Sequence, residues 1–129
     1  MEDAEVIRAL FDAFARRDLS AALKLMAQDI EFSPQGTQKR IGRGAPYVGH
    51  EGIREYFADV QVAWESLEIE AQSLRAVAGG VAAFGVARGR PARGEPIELP
   101  VFWVFRLRDG LVVNARAVAT AQEAVGAGR

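Results

Sequence analysis

The sequence has no cysteine and a single histidine, and these absences exclude several kinds of site. Without cysteine the chain can form neither a disulfide nor a thiolate nucleophile. A metal site built on His50 would need carboxylates as its other ligands, and neither His-x-x-His nor His-Glu-x-x-His spacing is present. Glycine-rich nucleotide-binding motifs are also absent. We therefore expect no metal ion and no cofactor.

Charge and hydropathy exclude further partners. The formal net charge of the 129 residues is −1 and no basic stretch is interleaved with aromatic residues, so nucleic-acid binding is not expected. No apolar run reaches the roughly 18 residues of a membrane span. The chain begins with acidic, polar residues rather than the basic and then apolar residues of a signal peptide. The sequence predicts a cytoplasmic protein with one domain, residues 1–129.

The first half of the chain has the apolar spacing of helices. Near the start, apolar residues recur at helical intervals at Val6, Ile7, Leu10, Phe11 and Phe14. A second helix is predicted from an N-cap at Ser20 through Ala27, and a third from near His50. Residues 30–32 are a predicted short strand. Glycine and proline are so frequent in residues 33–49 that an irregular loop is expected there.

The second half alternates as antiparallel strands do. The alternation of residues 67–71 slips near Ser73, which predicts a β-bulge. Gly-Gly at 79–80 and Asp-Gly at 109–110 predict hairpin turns. Pro100 marks an edge or a bulge because it has no N–H to donate. After Ala121 a frayed helix or coil is expected. Helices followed by an antiparallel meander predict an α+β fold.

Four short segments, in this order, resemble a known family. They are Phe-Ala-Arg-Arg-Asp-Leu after the first helix, Asp-Ile-Glu-Phe before the loop, Gly-His-Glu-Gly-Ile-Arg-Glu-Tyr-Phe at the third helix and Phe-Arg-Leu-Arg-Asp-Gly-Leu-Val at the last hairpin. Together they resemble the SnoaL-like branch of the nuclear transport factor 2 superfamily. The resemblance implies a cystatin-like cone: three N-terminal helices packed in the concave face of a strongly curved, mostly antiparallel sheet, around an apolar pocket.

The resemblance does not extend to the catalytic acids of related enzymes. Similar proteins include ketosteroid isomerase, polyketide cyclases, limonene-epoxide hydrolase and scytalone dehydratase. The positions similar to the catalytic groups of ketosteroid isomerase hold Leu10, Ser33 and Trp103, and the position similar to the water-activating Asp of the epoxide hydrolase holds Ala117. None of these side chains is a useful base near neutral pH. Steroid-type isomerisation by that mechanism is therefore not expected.

Two polar side chains remain as candidate acid/base groups. Glu31 would be the best general base if it were buried, but a strand could equally leave it solvated. His50 ordinarily titrates near neutrality, and the alternative is a simple surface position at the start of its helix. The resemblance implies that the ligand-binding residues are Leu10, Phe14, Ser33, Tyr47, Trp103, Ala115 and Ala117. Trp103 either packs in the core or forms a pocket wall whose indole N–H holds a ligand oxygen.

The outer face of the sheet is a predicted interface. By strand parity it carries Phe102, Val104, Arg106 and Arg116, with Val112 on the same face as Arg116. Exposed Phe and Val beside Arg is a composition typical of interfaces. The resemblance implies a homodimer through this face, and a solvated Arg116 is the alternative.

Two groups of cations remain to be assigned. Arg88, Arg90 and Arg93 are expected at a solvated hairpin tip. The alternative is anion binding near the pocket mouth, together with the basic loop residues Lys39, Arg40 and Arg43.

Two functions are open on this basis. The first is a pocket protein for a small apolar molecule of polyketide, terpenoid or steroid size, acting by proton transfer as an isomerase, cyclase, dehydratase or hydrolase. The second is a non-catalytic ligand-binding or dimerisation module that has lost the acids. Whether Glu31 or His50 faces the pocket separates them.

Overall fold

In the computed structural model, which describes residues 2–126, most helices come first and the long strands last. In chain order the elements are α1 (Asp3–Ala15), α2 (Leu19–Leu25), β1 (Met26–Ser33), α3 (Gln35–Ile41), β2 (Tyr47–Val48), α4 (Gly49–Ala63), β3 (Trp64–Val77), β4 (Gly80–Pro91), β5 (Ile97–Arg108), β6 (Leu111–Val118) and α5 (Ala121–Gly126). The predicted α+β class is confirmed. None of the helices described is both long and apolar enough to cross a membrane.

The strands within residues 2–126 form one curved, six-stranded sheet in the order β2-β1-β6-β5-β4-β3. Neighbouring strands are antiparallel except for β1 and β6, which are parallel. Both predicted hairpins are present, although the first turns at residues 78–79 rather than 79–80, because Gly80 already pairs with Val77. At the β5–β6 turn Asp109 and Gly110 have φ of 54° and 79°, as a two-residue type I′ turn requires. The mostly antiparallel sheet is confirmed.

Bulges interrupt the sheet, and two of them bear on the predictions from the sequence. The bulge predicted near Ser73 is present, between Ala71 and Ser73 on β3. The second lies where Arg106 pairs with Asn114 but Leu107 pairs with Val112, so β6 has one extra residue. Val112 consequently faces the core and is 0 % exposed. Its predicted outer-face position is wrong, because an extra residue reverses the parity of the side chains beyond it.

Pro100 lies where β5 is locally an edge strand. It is opposite Val86 of β4, whereas β6 begins to pair with β5 only at Phe102. Proline fits such a position because no strand on that side of β5 needs a hydrogen bond from a backbone N–H. The predicted edge position is confirmed.

Helix α1 packs on the concave face through its apolar stripe. Val6, Ile7, Leu10 and Phe11 are at most 4 % exposed. Burying each side chain of this size contributes about 1.5–3 kcal/mol. The guanidinium of Arg8 donates to the carbonyl of Ala71 at 2.8 Å, so the helix is also attached to the sheet beside the β3 bulge.

The bounds of α2 differ from the prediction at both ends. Its N-cap is Asp18, whose carboxylate accepts the Ala21 N–H at 3.0 Å, and that hydrogen bond holds the pKa of Asp18 below its ordinary value. Ser20 is therefore an ordinary first-turn residue. The helix ends at Leu25 rather than Ala27 because β1 begins at Met26, which pairs with Val112.

The expectation of an irregular loop over residues 33–49 is wrong for most of the segment, and only residues 42–46 form such a loop. The segment contains α3 and the short strand β2. Pro34 directly precedes α3, and Gly42, with φ of 72°, ends it in the left-handed conformation common after helices. The proline and glycine that suggested irregularity are the two ends of a short helix.

Helix α5 covers part of the outer face. Ala124 packs with Ala82 and Val104, and Val104 is 2 % exposed. Strand parity alone predicts Val104 as an exposed interface residue. Its burial under α5 shows that this part of the prediction is wrong. The helical part of the predicted tail is confirmed for Ala121–Gly126, and the last three residues lie outside the described residues.

Gly89 of β4 leaves space for the ring of Trp64. A Cβ at Gly89 would lie 2.5 Å from Cζ3 of that ring. We predict that Gly89→Ala lowers the free energy of unfolding by about 1–3 kcal/mol, because the ring must shift, as measured by urea denaturation. Gly44→Ala is the matched control, since a Cβ there meets nothing within 4 Å. An equal loss in both variants would contradict close packing around Trp64.

Candidate functional site

Helix α3 is held against the sheet by Trp64, the first residue of β3. Trp64 is 3 % exposed, and its indole N–H donates to Thr37 Oγ1 at 3.2 Å. The guanidinium carbon of Arg40 lies 4.4 Å from the centroid of the same ring. Thr37 and Arg40 both belong to α3, so a hydrogen bond and a cation–π contact fix this short helix.

The turn between α1 and α2 is attached to the same point. The Arg17 guanidinium donates to the carbonyls of Trp64 and Glu65 at 2.7 and 3.2 Å. Arg17 has φ of 55°, a left-handed backbone that is uncommon for residues with a side chain. The two hydrogen bonds offset the strain of that conformation and hold the start of β3 in place.

A cavity of about 350 Å³ lies between α3 and the concave face of the sheet. Its walls are mostly apolar and include Leu67, Ile69, Ile97, Leu99, Val101 and Ala117. Leu99 is 43 % exposed, so the cavity reaches the surface there. Pockets of roughly 300–1,000 Å³ with apolar walls and a few polar groups are typical of small-molecule sites.

Trp103 on the wall presents a fixed and unused hydrogen-bond donor. Its ring stacks with those of Phe32 and Phe105 at centroid distances of 5.7 and 5.8 Å and meets Phe11 edge to face at 5.9 Å. Trp103 is 5 % exposed, and its indole N–H has no partner among residues 2–126. A buried donor left without a partner costs about 1–3 kcal/mol. The aromatic neighbours thus fix a buried donor that no group of the described residues satisfies.

Tyr56, a further polar residue of the wall, is a poor proton carrier. Burial raises the pKa of the Tyr56 hydroxyl, and a hydrogen bond with Thr37 partly opposes this. Among residues 2–126, no Asp, Glu or His lines this cavity, and no cluster of such residues could hold a metal ion. The site can bind and orient an oxygen-containing molecule, but its wall offers no carboxylate or imidazole for proton transfer.

Two cations border the cavity on the α3 side. Lys39 and Arg40 both contribute to its lining. Within the part of the chain that the structure describes, neither forms an ion pair with a carboxylate.

The structure brings only part of the predicted pocket set to this cavity. Trp103 and Ala117 line it. Leu10 and Ala115 are fully buried in the core. Phe14 borders a separate void of about 20 Å³ that shares Trp103 as a wall. Ser33 ends β1 and is not on the wall, where the next residue, Pro34, lies instead.

Tyr47 has a structural position outside the cavity. It is 0 % exposed and donates its hydroxyl to Asp59 Oδ2 at 2.8 Å. Arg43 lies 3.9 Å over its ring and forms an ion pair with Glu55. Burial, and then the hydrogen bond to Asp59, raise the pKa of Tyr47. These contacts fasten the connection between α3 and α4.

Neither acid/base candidate lines the cavity. Glu31 is exposed on β1 and accepts a long hydrogen bond of 3.5 Å from the Asn114 amide. His50 lies in the first turn of α4, where its Nε2–H donates to the carbonyl of Met26 at 2.9 Å. That bond places the proton of a neutral imidazole on Nε2.

Comparison with known families identifies the fold. The sequence matches the model of the SnoaL-like domain over residues 7–115. The chain belongs to the SnoaL-like family. A comparison with curated proteins finds no match.

Solved structures share the architecture of this SnoaL-like protein. A nuclear transport factor 2-like protein of unknown function from Burkholderia pseudomallei K96243 superposes with a TM-score of 0.81 at 19% identity, covering 98% of both chains. TerC, crystallised with polyporic acid, gives 0.80 at 23% identity, covering 95% of this chain and 97% of its own. IdmH of Streptomyces antibioticus, a proposed polyketide cyclase, gives 0.73 at 24% identity, covering 99% and 98%. At these identities the likeness shows the fold.

Sequence reasoning missed Trp64, Thr37 and Tyr56 as residues of the site. Tyr56 has the helical spacing of Ile53 and Val60, which predicts a helix but gives no sign of a site. Trp64 lies at a junction between helix and strand, where neither periodicity applies. Thr37 could not be found without α3, because its role depends on a helix that the composition of residues 33–49 concealed.

The two tyrosines of this SnoaL-like protein, Tyr47 and Tyr56, both have raised pKa values in the folded state. We predict no phenolate absorbance near pH 10, where unfolded tyrosine ordinarily titrates. Because folding raises both pKa values, their contribution to stability is complete below about pH 10 and is lost as the pH rises above it. Absorbance and unfolding should be followed together. Tyr47→Phe isolates Tyr56, and an ordinary titration of either group in folded protein would contradict the buried geometry.

Proposed function

We propose that the protein binds a small, largely apolar molecule in the α3 cavity, with the indole N–H of Trp103 donating to one of its oxygens. The observation that carries the proposal is the buried Trp103 donor without a partner among residues 2–126. The apolar walls and the volume of about 350 Å³ support it, since they suit a ligand with a few rings.

Binding is supported better than proton transfer. General acid/base catalysis needs a titratable group within hydrogen-bond reach of the substrate, directly or through one water. Glu31 and His50 lie away from the wall, and the wall of the described chain has no carboxylate or imidazole. A ligand-binding protein of the SnoaL-like fold is therefore the better-supported function.

A cyclase or isomerase is the second candidate, favoured by the SnoaL-like family and by the fixed Trp103 donor. A donor held by stacked rings can stabilise negative charge that develops on a carbonyl oxygen as a neighbouring carbon loses its proton. The cavity walls would hold the substrate in a folded conformation. In this case water or the substrate itself would have to accept the proton.

A naphthalene ketone tests the binding role of Trp103. We predict that 6-propionyl-2-(dimethylamino)naphthalene binds the wild type, with the blue-shifted emission of an apolar site. In Trp103→Phe the affinity should fall roughly two- to tenfold, because one hydrogen bond is lost. Fluorescence titration measures both quantities.

The matched control is 2-(dimethylamino)naphthalene, which lacks the carbonyl. It should bind the wild type and Trp103→Phe equally. An equal loss for both probes would show lost packing rather than a lost hydrogen bond, and absence of binding by either probe would contradict the proposal. The bound ketone also separates the two functions: deuterium exchange at its enolisable carbon should be unchanged if the protein only binds, and faster if it catalyses proton removal.

We also propose that two copies associate through the part of the outer face that α5 leaves open. This outer-face patch consists of Val77, Phe84, Phe102 and Val118. Phe84 and Phe102 meet edge to face at 6.2 Å, and Arg75 lies 5.7 Å from the Phe84 ring. Aromatic residues with arginine are typical of interface centres. Of the residues predicted for the interface, Phe102 belongs to this patch and Arg116 is exposed beside it. Val104 is buried and does not belong to the patch.

Sedimentation equilibrium tests the association. We predict a dimeric wild type and a monomeric Phe102→Lys, because a lysine in the patch would be desolvated on association. Val62→Lys is the matched control, since Val62 is 75% exposed on α4 and outside the patch. Circular dichroism should show both variants folded. A wild type that stays monomeric, or a Val62→Lys as monomeric as Phe102→Lys, would contradict the proposed face.

A further inference from the structure

We infer that the ligand of the α3 cavity is an organic anion: an apolar, ring-containing body whose acidic group lies against Lys39 and Arg40. This inference rests on the proposed binding function and narrows the ligand class. It starts from the asymmetry of the wall, which has two cations on the α3 side and, among residues 2–126, no acid.

Lys39 and Arg40 differ from Arg43 and Arg88 in the pairing of their charges. Arg43 pairs with Glu55 and donates to the carbonyls of Ala45 and Pro46. Arg88 pairs with Glu70 and Glu98 on the outer face. These side chains have their charges compensated. Lys39 and Arg40 border the cavity and have no carboxylate partner in the described part of the chain.

The contact with Trp64 places the Arg40 guanidinium for this role. Its carbon lies 4.4 Å from the ring centroid, and Trp64 itself lines the cavity. A guanidinium that packs on an aromatic ring keeps N–H groups available in its own plane, where they can donate to both oxygens of a carboxylate. Arg40 would provide the oriented contact, and Lys39 a second, more mobile charge.

The other wall residues indicate the polarity of the rest of the ligand. Apolar side chains from β3, β5 and β6 exclude polar substituents from the middle of the cavity, as Ile69, Val101 and Ala117 show. The Trp103 N–H requires an acceptor elsewhere on the molecule. The geometry suits an aromatic or polycyclic acid with a second oxygen remote from its acidic group.

Two fluorescent probes that differ only in charge test the inference. N-phenyl-1-naphthylamine is neutral, and 8-anilinonaphthalene-1-sulfonate has the same rings with one sulfonate. We expect the wild type to bind the sulfonate roughly fivefold more tightly, with the preference decreasing as salt is added. Lys39→Gln should lower the preference to about twofold, and Lys39→Glu should abolish or reverse it. Lys39→Arg should retain it.

Lys24→Gln is the matched control, because Lys24 is an exposed lysine of α2 outside the cavity lining. It should leave both affinities unchanged. Equal wild-type affinity for the two probes would overturn the anion inference while the binding function stands, and failure of both probes to bind would overturn the binding function itself. A loss of preference in Lys24→Gln as large as in Lys39→Gln would also overturn the inference, because it would indicate overall charge rather than a local contact.

Discussion

Trp64 donates its indole N–H to Thr37 of α3 and accepts, at its backbone carbonyl, a hydrogen bond from Arg17 between α1 and α2. Arg40 packs on its ring, and Gly89 of β4 leaves the space in which that ring lies. Helix α3, the α1–α2 turn and β4 thus all contact one residue at the junction of α4 and β3. Without the contact to Thr37, α3 would be a seven-residue helix, too short to be stable by itself. The cavity exists because α3 is held above the sheet at this point.

The two tryptophans of the chain differ in whether the indole N–H has a hydrogen-bond partner within the described residues. Both are nearly fully buried, and both line the cavity. The N–H of Trp64 is satisfied within the protein, so its role in packing is complete. The N–H of Trp103 is not satisfied within the described chain, although three aromatic rings around it fix its position. A buried donor that is rigid and unused is a cost in the free protein which a ligand oxygen would remove.

Local patterns in the sequence predict much of the fold, but they predict less of the candidate site. The stripe of α1, the bulge near Ser73 and the Asp109-Gly110 turn each depend on neighbouring residues, so periodicity and turn chemistry predicted them. The alternation of β5 placed Trp103 on an apolar face but left core packing and a pocket wall both open, and the family resemblance favoured the wall. Val112 was misplaced because the bulge on β6 shows only in its pairing with β5. Helix α3, which covers the cavity, was missed because it depends on contacts with Trp64 rather than on its own helix propensity, and Trp64 is distant in sequence.

The packing that fixes the Trp103 donor also keeps the carboxylate of Glu31 away from the cavity wall. Glu31 lies between Ile30 and Phe32 on β1, and these neighbours are 0 % and 1 % exposed. Because side chains alternate along a strand, turning Glu31 inward would require a one-residue slip that exposes both. Phe32 stacks on Trp103, so that slip would also release the indole. In this SnoaL-like protein β1 can therefore turn either Phe32 or Glu31 inward, but not both. Burial of its apolar residues favours the orientation in which Phe32 fixes the Trp103 donor and Glu31 faces away from the cavity.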